Sequence, residues 1–254
     1  MRAAAALKAA AGWPADDFPF HLPGFSYFGG TQTLDAGIQE LAVRSFWRDN
    51  GLTLVLAGLF LFSMAGMIWS GHSAHNEELR QHGGEAVSLI TYVTSGSFLS
   101  ALFENWESEF LQMACYVVLT AMLYQRGSAE SRDPDDPFRP DDQLPREMRK
   151  RSPLMAWLYS YSLGIALALL FVASFSLHWW SSLIAANDEA IRLGGEVKSA
   201  IAYVFEAQLW FESFQNWQSE FLSTALLVVL SVFLRHKGSP ESKPVGARNS
   251  ETGA

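Results

Sequence analysis

The sequence predicts an all-α integral membrane protein of four helices, made from a tandem two-helix repeat with parallel copies and both termini in the cytoplasm. Three observations predict this. Two long apolar runs alternate with two shorter ones, positive charges gather in alternate connections, and the second half of the chain matches the first in one register.

Composition sets the class. Charged residues make up 17% of the 254, against about 25% in soluble domains, while hydrophobic residues reach 49%. Mean hydropathy is only +0.08, so the apolar residues are concentrated in segments. A net charge of −8 disfavours nucleic acid, whose phosphates need a basic face. The lone Cys115 excludes an intramolecular disulfide and any multi-cysteine metal site.

Leu52 to Trp69 is diluted only by Thr53 and Ser63, and Trp157 to Trp180 is bracketed by the tryptophans that favour the lipid–water boundary. Either can cross a ~30 Å hydrocarbon layer, which takes about 20 residues. Phe110 to Tyr124 and Phe221 to Leu234 are shorter, and counting back a full span from their ends starts the helices near Asn105 and Gln215.

Positive charges orient the spans. Arg44 and Arg48 precede the first span. Arg126, Arg132, Arg139, Arg146, Arg149, Lys150 and Arg151 separate the second from the third, and Arg235 and Lys237 follow the fourth. The remaining connections hold Arg80 in one, and Arg192 with Lys198 in the other. Met1 to Gly12 is alanine-rich but runs into Trp13-Pro14 and two aspartates, which is not the pattern of a signal peptide.

The chain thus divides into an irregular N-terminal tail (1–43) and a first repeat (44–126), with spans at about 52–69 and 105–124. A solvated, disordered cytoplasmic linker (127–153) leads to the second repeat (154–237), with spans at about 157–180 and 215–234. A C-terminal tail (238–254) ends it.

The register of the duplication is 111 residues, Trp217 against Trp106, and runs without a gap from about Leu52–Ser131 onto Leu163–Ser242. Phe103-Glu-Asn-Trp-Glu-Ser-Glu-Phe-Leu111 matches Phe214-Gln-Asn-Trp-Gln-Ser-Glu-Phe-Leu222, and Gly127-Ser-Ala-Glu-Ser131 matches Gly238-Ser-Pro-Glu-Ser242. Gly83-Gly84-Glu85 and Asn76 recur as Gly194-Gly195-Glu196 and Asn187. Each copy reads as a span, a short polar helix, a Gly-Gly break, an amphipathic segment and a second span. Parallel repeats are normally related by an axis along the membrane normal.

With its F-x-N-W-x-S-E-F-L run, and (R/K)-G-S-x-E-S one short span later, the chain resembles an uncharacterised family of bacterial multi-pass membrane proteins of unknown function. The resemblance covers most of residues 46–244 and implies a bacterial membrane setting. It implies no activity and no catalytic residue.

One polar stripe stands out. Asn105, Ser108, Glu109 and Gln112 share a helix face, as do Asn216, Ser219, Glu220 and Ser223 in the second copy. Both copies keep Glu109 and Glu220, whereas Glu104 and Glu107 become Gln215 and Gln218, which singles out the retained pair. Three readings follow. The stripe lies at headgroup depth, where water satisfies it; or the stripes face each other and bind the helices through Asn and Ser; or the paired glutamates share a proton or hold a cation.

His72, His75 and His82 are not repeated in the second copy, which has Leu183, Ala186 and Leu193, so no metal site and no cofactor are expected. The G-S-x-E-S motif is expected to end the span, with Gly127 or Gly238 as the helix cap. No nucleotide-binding, nucleophile-elbow or zinc-protease motif occurs, and an enzyme is not expected. The expected function is a structural or interaction protein of the bacterial cell envelope, in the inner membrane. The alternative is a small ion- or proton-handling channel or carrier. Expected partners are membrane lipid and a second copy or an envelope protein.

Overall fold

A 52-residue helix, α1 (Gly30–Gln81), opens the part of the chain that the computed structural model describes: residues 30–138 and 142–253, with side chains from residue 46. Among the described residues there follow α2 (Leu89–Val93), α3 (Gly96–Met122), α4 (Arg146–Arg149), α5 (Pro153–Ser160), α6 (Ser162–Leu193), α7 (Ala200–Tyr203) and α8 (Ala207–Phe233), with no strand. The chain divides into two units, one ending at Gly66 and one running from Met67 to Ala254.

The described part of the first unit is a single helix whose apolar side chains point outward on every side. Leu52, Val55, Leu59, Leu61 and Phe62 are all more than half exposed. A soluble helix would hide one such face. Phe46–Gln81 and Ser162–Leu193 are long and apolar enough to cross a membrane.

Three expectations about boundaries need correction. Residues 30–43 were expected to belong to an irregular tail but continue α1; the rest of that tail, 1–29, lies outside the described residues. The polar helix expected after each long span is not separate, since α1 and α6 run on to Gln81 and Leu193. Apolarity locates the lipid, but helix hydrogen bonds do not need it: Ser181 Oγ, for example, donates to Leu177 O within its own helix. The span expected at 157–180 breaks at Tyr161, where α5 ends, so its first residues form a separate short helix capped by Ser152 and led by Pro153.

After each long helix the chain turns in the same way. Gly83 and Gly194 take the left-handed conformation (φ +75 and +70), and the next glycine donates to a carbonyl five residues back, Leu79 O or Ala190 O, at 2.7 Å in both. Asn76 Oδ1 accepts from Val87 N at 2.7 Å and Asn187 Oδ1 from Lys198 N at 2.8 Å, and each amide also donates to the same residue's carbonyl. Ser88 and Ser199 then cap α2 and α7.

In the second unit, α3 is the central helix. It packs antiparallel to α6, with Gly96 beside Ser181–Ala185 at one end and Val118 beside Gly164 at the other. A Cβ on Gly96 would lie 2.6 Å from Ala185 N, so glycine lets the start of α3 touch the α6 backbone. α8 runs beside α3 in the same direction. Gln112 Nε2 donates to Thr224 Oγ1, Asn216 Nδ2 to Glu104 Oε1 and Trp217 Nε1 to Glu107 Oε1. Each contact joins positions 110 to 112 residues apart, close to the register of the self-match.

The far ends of α3 and α8 meet a layer of turns. Both helices end in an extended residue, Leu123 or Leu234, four residues before the glycine expected to cap them. Gly127 and Gly238 (φ +85) instead sit in the following turns. Ser131 Oγ accepts from Gln125 N and Ser242 Oγ from His236 N, both at 2.8 Å. The start of the segment expected to be a disordered linker is packed: Ser128 and Ser131 are buried, and Ser128 Oγ meets Ser231 Oγ at 2.8 Å. The C-terminal segment closes over it. Gly253 N donates to Ser128 O, and the buried Lys243 donates to the carbonyls of Arg248, Asn249 and Glu251.

Candidate functional site: a buried glutamate–histidine cluster

Between α3, α6 and α8 lies a cluster of ionisable groups. Glu104 and Glu107 are three residues apart on one face of α3. His178 and Ser182 are four apart on α6, and Glu212 and Asn216 four apart on α8, so each helix turns a pair of polar groups inward. Glu107 and His178 are fully buried.

His178 Nδ1 donates to Glu107 Oε2 at 2.7 Å, and Nε2 faces Glu212 Oε2 at 3.2 Å. The second oxygen of Glu107 accepts from Trp217 Nε1 at 2.9 Å. Glu212 accepts further bonds from Ser182 Oγ at 3.0 Å and Gln208 Nε2 at 2.8 Å, and Ser182 shares a 2.8 Å bond with the buried Tyr203 hydroxyl. Glu104 accepts from Asn216. One ligand atom each from Glu104, His178 and Glu212 lie within 4.8 Å of one another.

Aromatic residues wall one side of the cluster. Phe171 and Phe175 of α6 pack against Trp217 and Trp210 of α8 with ring centroids at 6.2 and 5.9 Å. Such walls keep water out and strengthen every charge interaction inside. An imidazole that donates from both nitrogens is a cation. The cluster sets three carboxyl groups against one imidazole.

The polar stripe is distributed differently. Gln112 and Asn216 reach between α3 and α8, to Thr224 and Glu104. Ser108 is buried but donates to its own helix at Asn105 O, and Asn105 is exposed and donates to Ala101 O. Ser219 and Ser223 likewise donate to carbonyls of their own helix. Glu109 is exposed and Glu220 half-buried. Of the histidines considered as metal ligands, His72 is held by Asn76 and Val87 O, and the rings of His72 and His75 both pack at a tilt against Tyr92.

The self-match points away from the cluster, because positions 111 from Glu104, Glu107, His178 and Glu212 hold Gln215, Gln218, Met67 and Ala101. A signal was present: His178 interrupts an apolar run long enough to span a membrane, and an ionisable residue there marks a functional site by default.

Fold and site together define a helical protein with two helices able to cross a membrane and a buried carboxylate–imidazole cluster in the second of its units. Within that class, the chain belongs to the family described as a domain of unknown function, DUF6766, which matches residues 43–254. Neither a curated protein nor a solved structure matches it.

Proposed function

We propose that the protein is a four-span, duplicated inner-membrane protein of bacteria, with both termini cytoplasmic, that handles a cation at the Glu104–Glu107–His178–Glu212 cluster. The observation that carries this reading is the excess of carboxylates around one fully buried imidazole. Helix packing alone needs no such group, because well-packed apolar side chains usually serve as well as a buried ion pair. A transiting or bound cation offsets the excess charge. The parallel α3–α8 contacts at 110 to 112 residues support the duplication. With the start of α6 on the cytoplasmic side, His178 lies about 25 Å along that helix at 1.5 Å per residue, in the outer part of the bilayer.

A second reading has its own support. Every side-chain nitrogen and oxygen of Glu107, His178 and Glu212 has a partner. This is the arrangement expected of a structural or interaction protein of the envelope whose cluster only fixes helix packing.

The test uses the full chain in detergent and in proteoliposomes, with Na⁺, K⁺, Mg²⁺, Mn²⁺ and Zn²⁺ offered in turn. Thermal stabilisation or flux by one of them should disappear in Glu104→Gln and Glu212→Gln and survive in Glu109→Gln/Glu220→Gln. A folded parent indifferent to every cation leaves the structural reading in possession. Topology is checked separately in a Cys115→Ser background. Cysteines at Ser73 and Glu189 should react with an impermeant reagent in intact cells, and one at Asp136 should not.

A further inference from the structure

The geometry points to a divalent first-row transition metal ion, of the Zn²⁺ or Mn²⁺ kind, bound by Glu104, Glu212 and Nε2 of His178, with Glu107 positioning the imidazole. The inference rests on the cation-handling reading and narrows it to one class of ligand.

Its starting point is the difference between the two sides of His178. Nδ1 is held at 2.7 Å by Glu107, whose other oxygen is fixed at 2.9 Å by Trp217. Glu107 therefore cannot turn away, and it fixes both the ring plane and the nitrogen that keeps its proton. Metal-binding histidines are oriented in this way, with a carboxylate on the nitrogen away from the metal. Nε2 is then directed at the space that Glu104 and Glu212 border from two other helices.

The donor set selects the ion. One imidazole nitrogen and two carboxylate oxygens suit Zn²⁺, Mn²⁺ or Fe²⁺; the absence of thiolate from the set disfavours Cu⁺, and Mg²⁺ prefers an all-oxygen, largely hydrated site. Bonds of about 2.0–2.2 Å place tetrahedral donors about 3.4 Å apart. The three donors, now within 4.8 Å, have little more than an ångström to close. Glu104, half-buried and bonded by Asn216, is the ligand that would move to close it. Charge agrees with geometry, since a divalent ion offsets most of the negative charge that three carboxylates bring together.

The matched positions of the other copy sharpen the assignment. Residues 111 before or after the four are Gln215, Gln218, Met67 and Ala101, none of which is ionisable. One such site per chain is expected, and glutamine at position 104 is a substitution that the sequence already tolerates in its other copy.

The test is metal content and metal-dependent melting of the full-length protein in detergent. The protein is stripped with a chelator, incubated with Zn²⁺ or Mn²⁺ and desalted, with Mg²⁺, Na⁺ and K⁺ as controls. The parent should retain about one ion per chain and melt several degrees higher with Zn²⁺ or Mn²⁺ than with Mg²⁺. Glu104→Gln and Glu212→Gln should each weaken retention at least tenfold, while Glu109→Gln/Glu220→Gln should retain metal like the parent. Glu104→Gln guards against simple misfolding, because Glu104 lies at the half-buried edge of the cluster. Metal retained equally by all variants would overturn the site. Stabilisation by Na⁺ or K⁺ alone, lost in Glu104→Gln, would overturn the divalent assignment and leave the cation-handling reading standing. Indifference of a folded parent to every cation would remove both.

Discussion

After each long helix, α1 and α6, the chain bends with the same parts: a left-handed glycine, an asparagine that grips the backbone eleven residues ahead, and a serine cap. Tyr92 and Tyr203 are buried at matched places, beside Gly71 and Ser182 respectively. Charge does not follow this pattern. His178, Glu212, Glu104 and Glu107 stand where the other copy has Met67, Ala101, Gln215 and Gln218. What both copies share is local turn and cap chemistry, which each needs in order to fold. What is not shared, Glu104 and Glu107 in the first half and His178 and Glu212 in the second, is a cluster that three helices assemble. Difference between positions 111 apart is therefore the better guide to the candidate site, and identity the better guide to the frame.

The largest effect that would break this distinction comes from His178→Met, which puts the first copy's residue into the cluster. It leaves Glu107 buried with only Trp217 as a partner, and removing one member of a buried pair costs about 3–5 kcal/mol. Thermal unfolding in detergent should show the loss. The combined change Glu104→Gln/Glu107→Gln/His178→Met/Glu212→Ala should recover most of it, since the full set is neutral. If the single and the combined variants melt alike, the cluster is not a charge unit.

A smaller effect tests the frame. Gly96→Ala would push a methyl to 2.6 Å from Ala185 N and 2.8 Å from Ser181 O, prying α3 from α6. Overpacking of this kind costs about 1–3 kcal/mol. Ala207 occupies the matched position in the second copy without difficulty, so Ala207→Gly should cost less, about 1 kcal/mol at most. Equal losses at the two positions would show that the copies pack alike.

Smaller still is the contrast between the tyrosines. Tyr203→Phe removes a hydroxyl bonded to Ser182, worth about 1 kcal/mol. Tyr92→Phe acts beside Gly71, which has no side chain to bond, and should be milder when the two melting curves are compared.

The smallest effect is one of pH, at the twin motif glutamates in the turn layer. Burial, and then the Glu241 carboxyl, push Glu130 above the usual glutamate range, against the pull of the bond that Tyr116 donates. A carboxyl raised in this way contributes stability in full below its unfolded pKa of about 4.3, and loses it as pH rises through the folded value. Glu130→Gln should therefore flatten the decline in melting temperature above that pH, by a few degrees at most. An unchanged pH profile would separate Glu130 from Glu241.

That the chain is helical, where its two most apolar helices run, and the Gly-Gly breaks that follow them were legible in the sequence. These depend on residues within a dozen positions of one another: Gly83 bends the chain where it stands, and Asn76 reaches only to Val87. Helix lengths were less legible, because apolarity reports the solvent around a helix and not where its hydrogen bonds stop. The candidate site exists only through packing. Glu107 and His178 are 71 residues apart, and His178 and Glu212 are 34 apart. No period or spacing links them; they meet because Gly96 lets α3 close onto α6 and because α8 runs alongside α3. A buried carboxylate and a surface one look alike in a sequence. Their difference is the water that packing removes, and that is fixed only once three helices stand together.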